Sequence, residues 1–162
     1  MSETLLIDKT DGVATLTLNR PDRLNTINFE MLEALIKALD DMAADEAVRT
    51  VVLTGSGDTF CAGADIDRED QSADRGRLEW QDIVERYLHP VTQIVGLWKP
   101  VITVCKGTVF GGGMGLAMAS DLRIASDDSR YCAPFIKLAL TGCDMSTGYF
   151  LPRLVGLGRP PR

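Results

Sequence analysis

Two small-residue turns are the places in this 162-residue chain where chemistry can be done. The first turn lies in Lys99 to Gly115, KPVITVCKGTVFGGGMG. Its β-branched run, Val101-Ile102-Thr103-Val104, suits a buried strand. Gly111, Gly112 and Gly113 follow, and then the helix formers Met114, Leu116, Ala117 and Met118. The order is strand, glycine turn, helix. Free N–H groups at a helix N-terminus carry partial positive charge, so an oxygen gaining negative charge can sit there. The same glycines equally suit a tight packing turn, and on this stretch alone both readings stand. The second turn follows Val51–Thr54 and leads to Phe60-Cys61-Ala62-Gly63-Ala64-Asp65. Each turn presents small residues just beyond a strand, where α/β sheets commonly meet ligands. One N–H from each, converging on one oxygen, makes an oxyanion hole, in which removing a single donor costs on the order of 10²–10³ in rate.

Other chemistries are argued against by spacing. Gly111, Gly113 and Gly115 give GxGxG, with no GxGxxG, GK[ST] or GxSxG anywhere in the chain. Cys61, Cys105, Cys132 and Cys143 are scattered without a CxxC pair and read as reduced thiols, forming neither a disulfide framework nor a zinc site. His89 is the single histidine, which argues against a histidine-based metal centre, and no metal is expected. Asp40-Asp41 and Asp127-Asp128 lie in polar surroundings and read as solvated faces or turns. A net charge of −6 without a lysine/arginine cluster argues against nucleic acid and anionic membranes as partners. No signal peptide or membrane-length apolar run is visible, so a cytoplasmic location is expected.

The elements that must hold these turns are legible in part. Leu5-Leu6-Ile7 and Val13 to Leu18, separated by Asp11-Gly12, predict a hairpin. Asn28 reads as an N-cap for a helix whose stripe is Met31, Leu32, Leu35, Ile36, Leu39 and Met42, ending near Asp45. Residues 66 to 77 are polar and read as an exposed loop. Trp80, Ile83, Val84, Tyr87, Leu88 and Val91 form a second stripe that Pro90 is expected to kink or divide. Leu122 to Ala125 and Arg130-Tyr131-Cys132 predict short strands, and residues 138 to 151 hold helix formers. Alternating strands and helices predict an α/β fold with parallel pairing, in one domain spanning residues 1–162.

Six ordered motifs give a resemblance over nearly the whole chain: Arg20-Pro21 with Leu24-Asn25, Phe60 to Asp65, Lys99-Pro100-Val101, Gly111-Gly112-Gly113, Ser120-Asp121-Leu122-Arg123-Ile124-Ala125, and Leu151-Pro152-Arg153-Leu154-Val155-Gly156. Together they resemble the enoyl-CoA hydratase/isomerase (crotonase) superfamily. The resemblance implies a spiral of ββα units and an acyl-CoA thioester substrate, with CoA arriving as part of the substrate and no further cofactor. It implies an enolate-like intermediate held by the amides of Ala64 and Gly112. It also implies that Arg23, Leu24 and Asn25 contact CoA, and that Ala62, Asp65 and Ile66 line the pantetheine path. Homo-oligomers, trimers or hexamers, are implied as well, together with a C-terminal helical part beyond the point where Pro160-Pro161-Arg162 closes this sequence, so that the chain reads as the core without that part.

The departures from the family pattern direct the chemistry. Hydratases of the family carry one glutamate where this chain has Gly115, and a second after the proline matched by Pro134, where Phe135 and Ile136 stand. One acid remains at a family position: Asp144, placed where dienoyl-CoA isomerases and 4-chlorobenzoyl-CoA dehalogenases carry a working aspartate. The expectation is therefore isomerase-like proton transfer by Asp144, with aroyl-CoA dehalogenation, a catalytically inactive CoA-thioester binder or a truncated product as alternatives. Asp144 also fits a helix N-cap, and the two roles are compatible. His89 reads as a partly exposed helix-end residue outside the catalytic set.

Overall fold

The computed structural model describes residues 4–65, 77–138 and 140–158. The polar segment 66–76, and with it Ile66, lies outside the described residues. Strands β1 (Leu5–Thr10) and β2 (Val13–Leu18) form the expected antiparallel hairpin, turning at Asp11 and Gly12. Helix α1 (Phe29–Ala44) begins at Asn28, whose Oδ1 accepts the Met31 N–H at 2.9 Å. That bond satisfies one of the orphan donors of the first turn. Met31, Leu32, Leu35, Leu39 and Met42 are buried on its inner face, joined by Ala38, while Ile36 is half-buried. Lys99 Nζ caps the far end of α1, donating to the carbonyls of Met42 at 2.5 Å and Asp45 at 2.7 Å.

Strands β3 (Thr50–Gly55), β4 (Val101–Cys105) and β6 (Leu122–Ala125) complete a five-stranded sheet in the order β1-β2-β3-β4-β6. Every pair after the hairpin is parallel, as the alternation of strands and helices predicts. Alternate residues Ala14, Leu16, Leu18, Val51, Leu53, Val101 and Cys105 face one hydrophobic cluster shared with α1. The opposite face is only half-covered, so β4 is buried on one side rather than both. Strands β5 (Thr108–Phe110) and β7 (Arg130–Cys132) pair separately, also in parallel.

Helix α2 (Arg77–Gly96) runs through Pro90 without division. Proline removes only one N–H, and the packing of Val91 and Ile94 into the core, both under 3% exposed, holds the next turn in place. Val84, expected on the buried stripe, is exposed. Helix α3 (Gly111–Ala119) follows β5 directly and is buried on all sides except at its last residue. Its C-terminal carbonyls are covered by Arg123 Nη1, which reaches Ala117 O and Met118 O at 3.3 Å and Ser120 O at 2.5 Å. Helix α4 (Thr147–Val155) passes through Pro152, with short 3₁₀ turns at Phe135–Leu138 and Asp144–Ser146 before it.

Candidate active site

The triple glycine serves the packing purpose left open by the sequence. Gly111 sits at φ +50°, a left-handed conformation that lets the chain leave β5 and enter α3 at once. Gly113 packs against the strand-like segment of Cys61, where a Cβ would lie 2.5 Å from Cys61 O. Tight packing thus brings the start of α3 against residues 61–64. A Cβ on Gly112 would stand 3.7 Å from the Ala64 nitrogen, and a Cβ on Gly63 would stand 3.2 Å from the Gly112 nitrogen. The two turns are therefore in direct contact.

The direction of the Ala64 amide follows from its pairing. Ile27 N–H donates to Gly63 O at 2.8 Å, and Asp65 N–H donates to Ile27 O at 2.9 Å. These two bonds straddle Ala64 in a parallel bridge, so its own N–H faces away from Ile27. The Gly112 amide is in the first turn of α3, where no intrahelical acceptor exists. Among the described residues neither amide has a recorded acceptor. Two unpaired N–H groups on adjoining backbones are what a two-donor oxyanion site requires.

Cys61 lies beneath this contact and is wholly buried. Burial pushes its thiol up to about 12, partly countered by the Gly63 N–H that points at Sγ from 3.4 Å. It is a packing thiol rather than a nucleophile. All four cysteines are free, and among the described residues no group of three His, Cys, Asp or Glu side chains is placed to hold a metal.

Asp144 opens the 3₁₀ turn before α4, is half-buried, and accepts the Met145 N–H on Oδ1 at 2.8 Å. It does not cap α4, whose N-cap is Ser146. The residue after it is the one that sequence reasoning missed. Met145 is 6% exposed and holds a left-handed backbone, φ 48° and ψ 37°, at a non-glycine position. Its Cε would lie 3.5 Å from a Cβ on Gly112, and its Cβ and carbonyl oxygen would each lie 3.0 Å from a Cβ on Gly115. A side chain at Gly115 would thus press on the Met145 Cβ and carbonyl, which would have to give by a few tenths of an ångström. Nothing in the residue type signals this, because a methionine after an aspartate reads as ordinary core.

The residues expected along CoA separate into two groups. Arg23 and Leu24 are about half exposed on the 3₁₀ turn Pro21–Arg23 and its left-handed cap. Leu24 O accepts the Ala62 N–H at 3.0 Å, which joins this turn to the second glycine turn. Asn25 differs from expectation. It is wholly buried, with Nδ2 donating to Ser56 O at 2.9 Å and Thr59 O at 2.7 Å, and Oδ1 accepting Arg20 N–H at 2.9 Å. Its side chain faces loop backbone and not solvent, so it ties Arg20 to the 56–59 loop and offers a ligand nothing of its own. Asp65 is 14% exposed, paired with Arg20 at 2.8 Å and Arg23 at 3.8 Å. His89 stands exposed in the body of α2 rather than at its end. Among the described residues no helix is long and apolar enough to cross a membrane.

This architecture is the crotonase-type α/β fold. The enoyl-CoA hydratase from Bacillus anthracis superposes with a TM-score of 0.84 at 31% identity, over 96% of this chain and 60% of that one. The family model described as enoyl-CoA hydratase/isomerase matches residues 13–158, and the chain belongs to that enzyme family. Among curated relatives, the 1,2-epoxyphenylacetyl-CoA isomerase of Escherichia coli K12 is 37% identical over 98% of this chain and 61% of its own length. The 4-chlorobenzoyl coenzyme A dehalogenase-2 of an Arthrobacter species is 29% identical over 94% of this chain and 55% of its own. The chain thus spans little more than half the length of the proteins it matches.

Proposed function

We propose that this chain is the core of an enzyme that acts on an acyl-CoA thioester, polarising the thioester carbonyl with the amides of Ala64 and Gly112 and moving a proton with Asp144. The observation that carries the reading is the juxtaposition, on touching backbones, of two amides that have no acceptor among the described residues. Negative charge develops on the thioester oxygen as the α-carbon loses a proton, and fixed donors favour that state over the ground state. Asp144 immediately precedes Met145, which packs toward Gly112 and Gly115, and that neighbourhood supports its assignment to the site. Glycine at position 115, where even a Cβ would be tight against Met145, supports isomerase-like chemistry over hydration by an acid there. CoA enters with the substrate, along Arg23, Leu24 and Ala62, and no separate cofactor is needed. We read residues 1–162 as a single core domain of a cytoplasmic homo-oligomer, a trimer or hexamer. The exposed apolar side chains of Leu122, Ile124, Val155 and Leu157 support association.

Asp144→Asn is the test. Turnover across a panel of enoyl-, dienoyl- and haloaroyl-CoA thioesters, read by mass spectrometry, should vanish while thioester binding survives. Full turnover in the variant would remove Asp144 from the mechanism. Release of halide from an aroyl substrate, also Asp144-dependent, would favour the dehalogenase reading that Gly115 and the Arthrobacter relative bring into view.

A further inference from the structure

The two amides of the proposed site are held by unequal means. Gly112 is fixed by a helix packed on all sides. Ala64 belongs to an irregular segment, and its N–H shares one rigid peptide unit with the Gly63 carbonyl. That carbonyl accepts from Ile27 N–H, and the next unit is fixed by Asp65 N–H on Ile27 O. Ile27 O also accepts the Tyr87 hydroxyl at 3.0 Å. Among the described residues both peptide planes flanking Ala64 are therefore aimed by Ile27, and their direction depends on segments 26–27 and 63–65 staying together.

One guanidinium nitrogen bridges those segments. Arg20 Nη1 donates to Thr26 O at 2.7 Å, to Thr26 Oγ1 at 3.2 Å and to Asp65 Oδ2 at 2.8 Å. Thr26 immediately precedes Ile27, and Asp65 immediately follows Ala64. The pair is largely shielded, with the Arg20 and Asp65 side chains 17% and 14% exposed, so solvent screens it weakly. Arg20 is itself registered by its backbone N–H on Asn25 Oδ1. Asp65 makes a poor direct partner for CoA, because an ionised carboxylate only accepts hydrogen bonds and repels phosphate.

We propose that Asp65, through its ion pair with Arg20, is a positioning residue that aims the Ala64 N–H at the thioester oxygen. This rests on the oxyanion reading given above. The probe is butyryl-CoA carrying a ¹³C label at the thioester carbonyl, a saturated thioester with no double bond to hydrate. Infrared difference spectra on the wild-type chain should show the carbonyl band moved to lower frequency on binding; no movement would overturn the oxyanion reading itself. In Asp65→Asn, an isosteric change, at least half of that movement should be lost. Affinities for free CoA and for butyryl-CoA, by titration calorimetry, should stay within about threefold. Hydrogen exchange in the peptide containing Ala64 should accelerate in the same variant. Arg20→Gln should reproduce these changes, whereas Arg20→Lys, which keeps a cation beside Asp65, should restore most of the band movement. The full wild-type band movement, kept in folded Asp65→Asn, would overturn the proposal. So would a loss of CoA affinity beyond about tenfold with the band movement retained, since that would make Asp65 a ligand contact. Should Asp65→Asn fail to fold, Arg20→Gln decides by the same two readings.

Discussion

Replacing Asn25 separates a structural pin from a ligand contact. In Asn25→Ala the carbonyls of Ser56 and Thr59 and the N–H of Arg20 lose the partners that hold them at 2.9, 2.7 and 2.9 Å. Each orphaned group costs about 1 kcal/mol where water can partly replace the partner and up to about 3 where it cannot. Ser56 and Thr59 are half-buried, so the lower figure applies to their carbonyls. Asn25 also holds φ 52°, which alanine adopts at a cost of about 1–2 kcal/mol. The total is a loss of about 4 kcal/mol, a large share of the roughly 5–15 kcal/mol by which domains are stable. Asn25→Asp, the same shape, sets oxygen against two carbonyl oxygens inside the fold. Its carboxyl is then favoured in the neutral form, with a folded pKa above the unfolded value of about 3.9. The sign follows: stability of that variant is fullest below about pH 4 and declines as pH rises through the folded pKa. Urea unfolding at pH 4 and pH 7, compared with wild type at each pH, measures both effects. A stability change below about 1 kcal/mol in Asn25→Ala, together with a selective loss of CoA affinity, would refute the pin and restore a direct contact.

Gly115→Ala should lower stability by about 1 kcal/mol, although alanine in place of glycine inside a helix ordinarily adds about that much, because its Cβ meets the Met145 Cβ and carbonyl at 3.0 Å. Gly115→Glu should not create crotonyl-CoA hydration, and measurable hydration would show that Met145 yields. At alkaline pH the wild-type fold should lose stability from about pH 9, where the unfolded Cys61 thiol ionises and the buried one does not, by about 1.4 kcal/mol per pH unit. Cys105 is raised in the same direction by burial, so Cys61→Ala should remove only part of that slope in denaturation series across pH 8–10. Under native conditions a thiol reagent should label exposed Cys143 first and leave Cys61 and Cys105 untouched until unfolding, as peptide mapping would show.

Local signals in the chain account for most of the frame. Asp11-Gly12 turns the hairpin, Asn28 caps α1, and the β-branched runs make parallel strands, because each of these depends on neighbours within a few residues. Pro90 misleads because proline's local penalty is outweighed by the burial of Val91 and Ile94, which depends on distant partners. The family motifs pick out Ala64 and Gly112, and the structure brings them together. Asn25 was legible as important and illegible in role, since its partners lie 31 and 34 residues away. Met145 was invisible for the same reason: its significance is the space it takes from Gly115, thirty positions earlier in the fold's path.

The inequality between the two amides has a consequence for how such a site can change over generations. Gly112 is the fixed jaw of a vice, since every substitution that moved it would have to disturb a helix with almost no surface. Ala64 is the adjustable jaw, mounted on a loop whose screws are a few polar side chains largely shielded from solvent. Adaptation to a new acyl group, in nature or in a laboratory selection, should therefore accumulate in residues 20–27 and 56–65 and spare α3. In the proposed site the field at the carbonyl would be tuned from one side only.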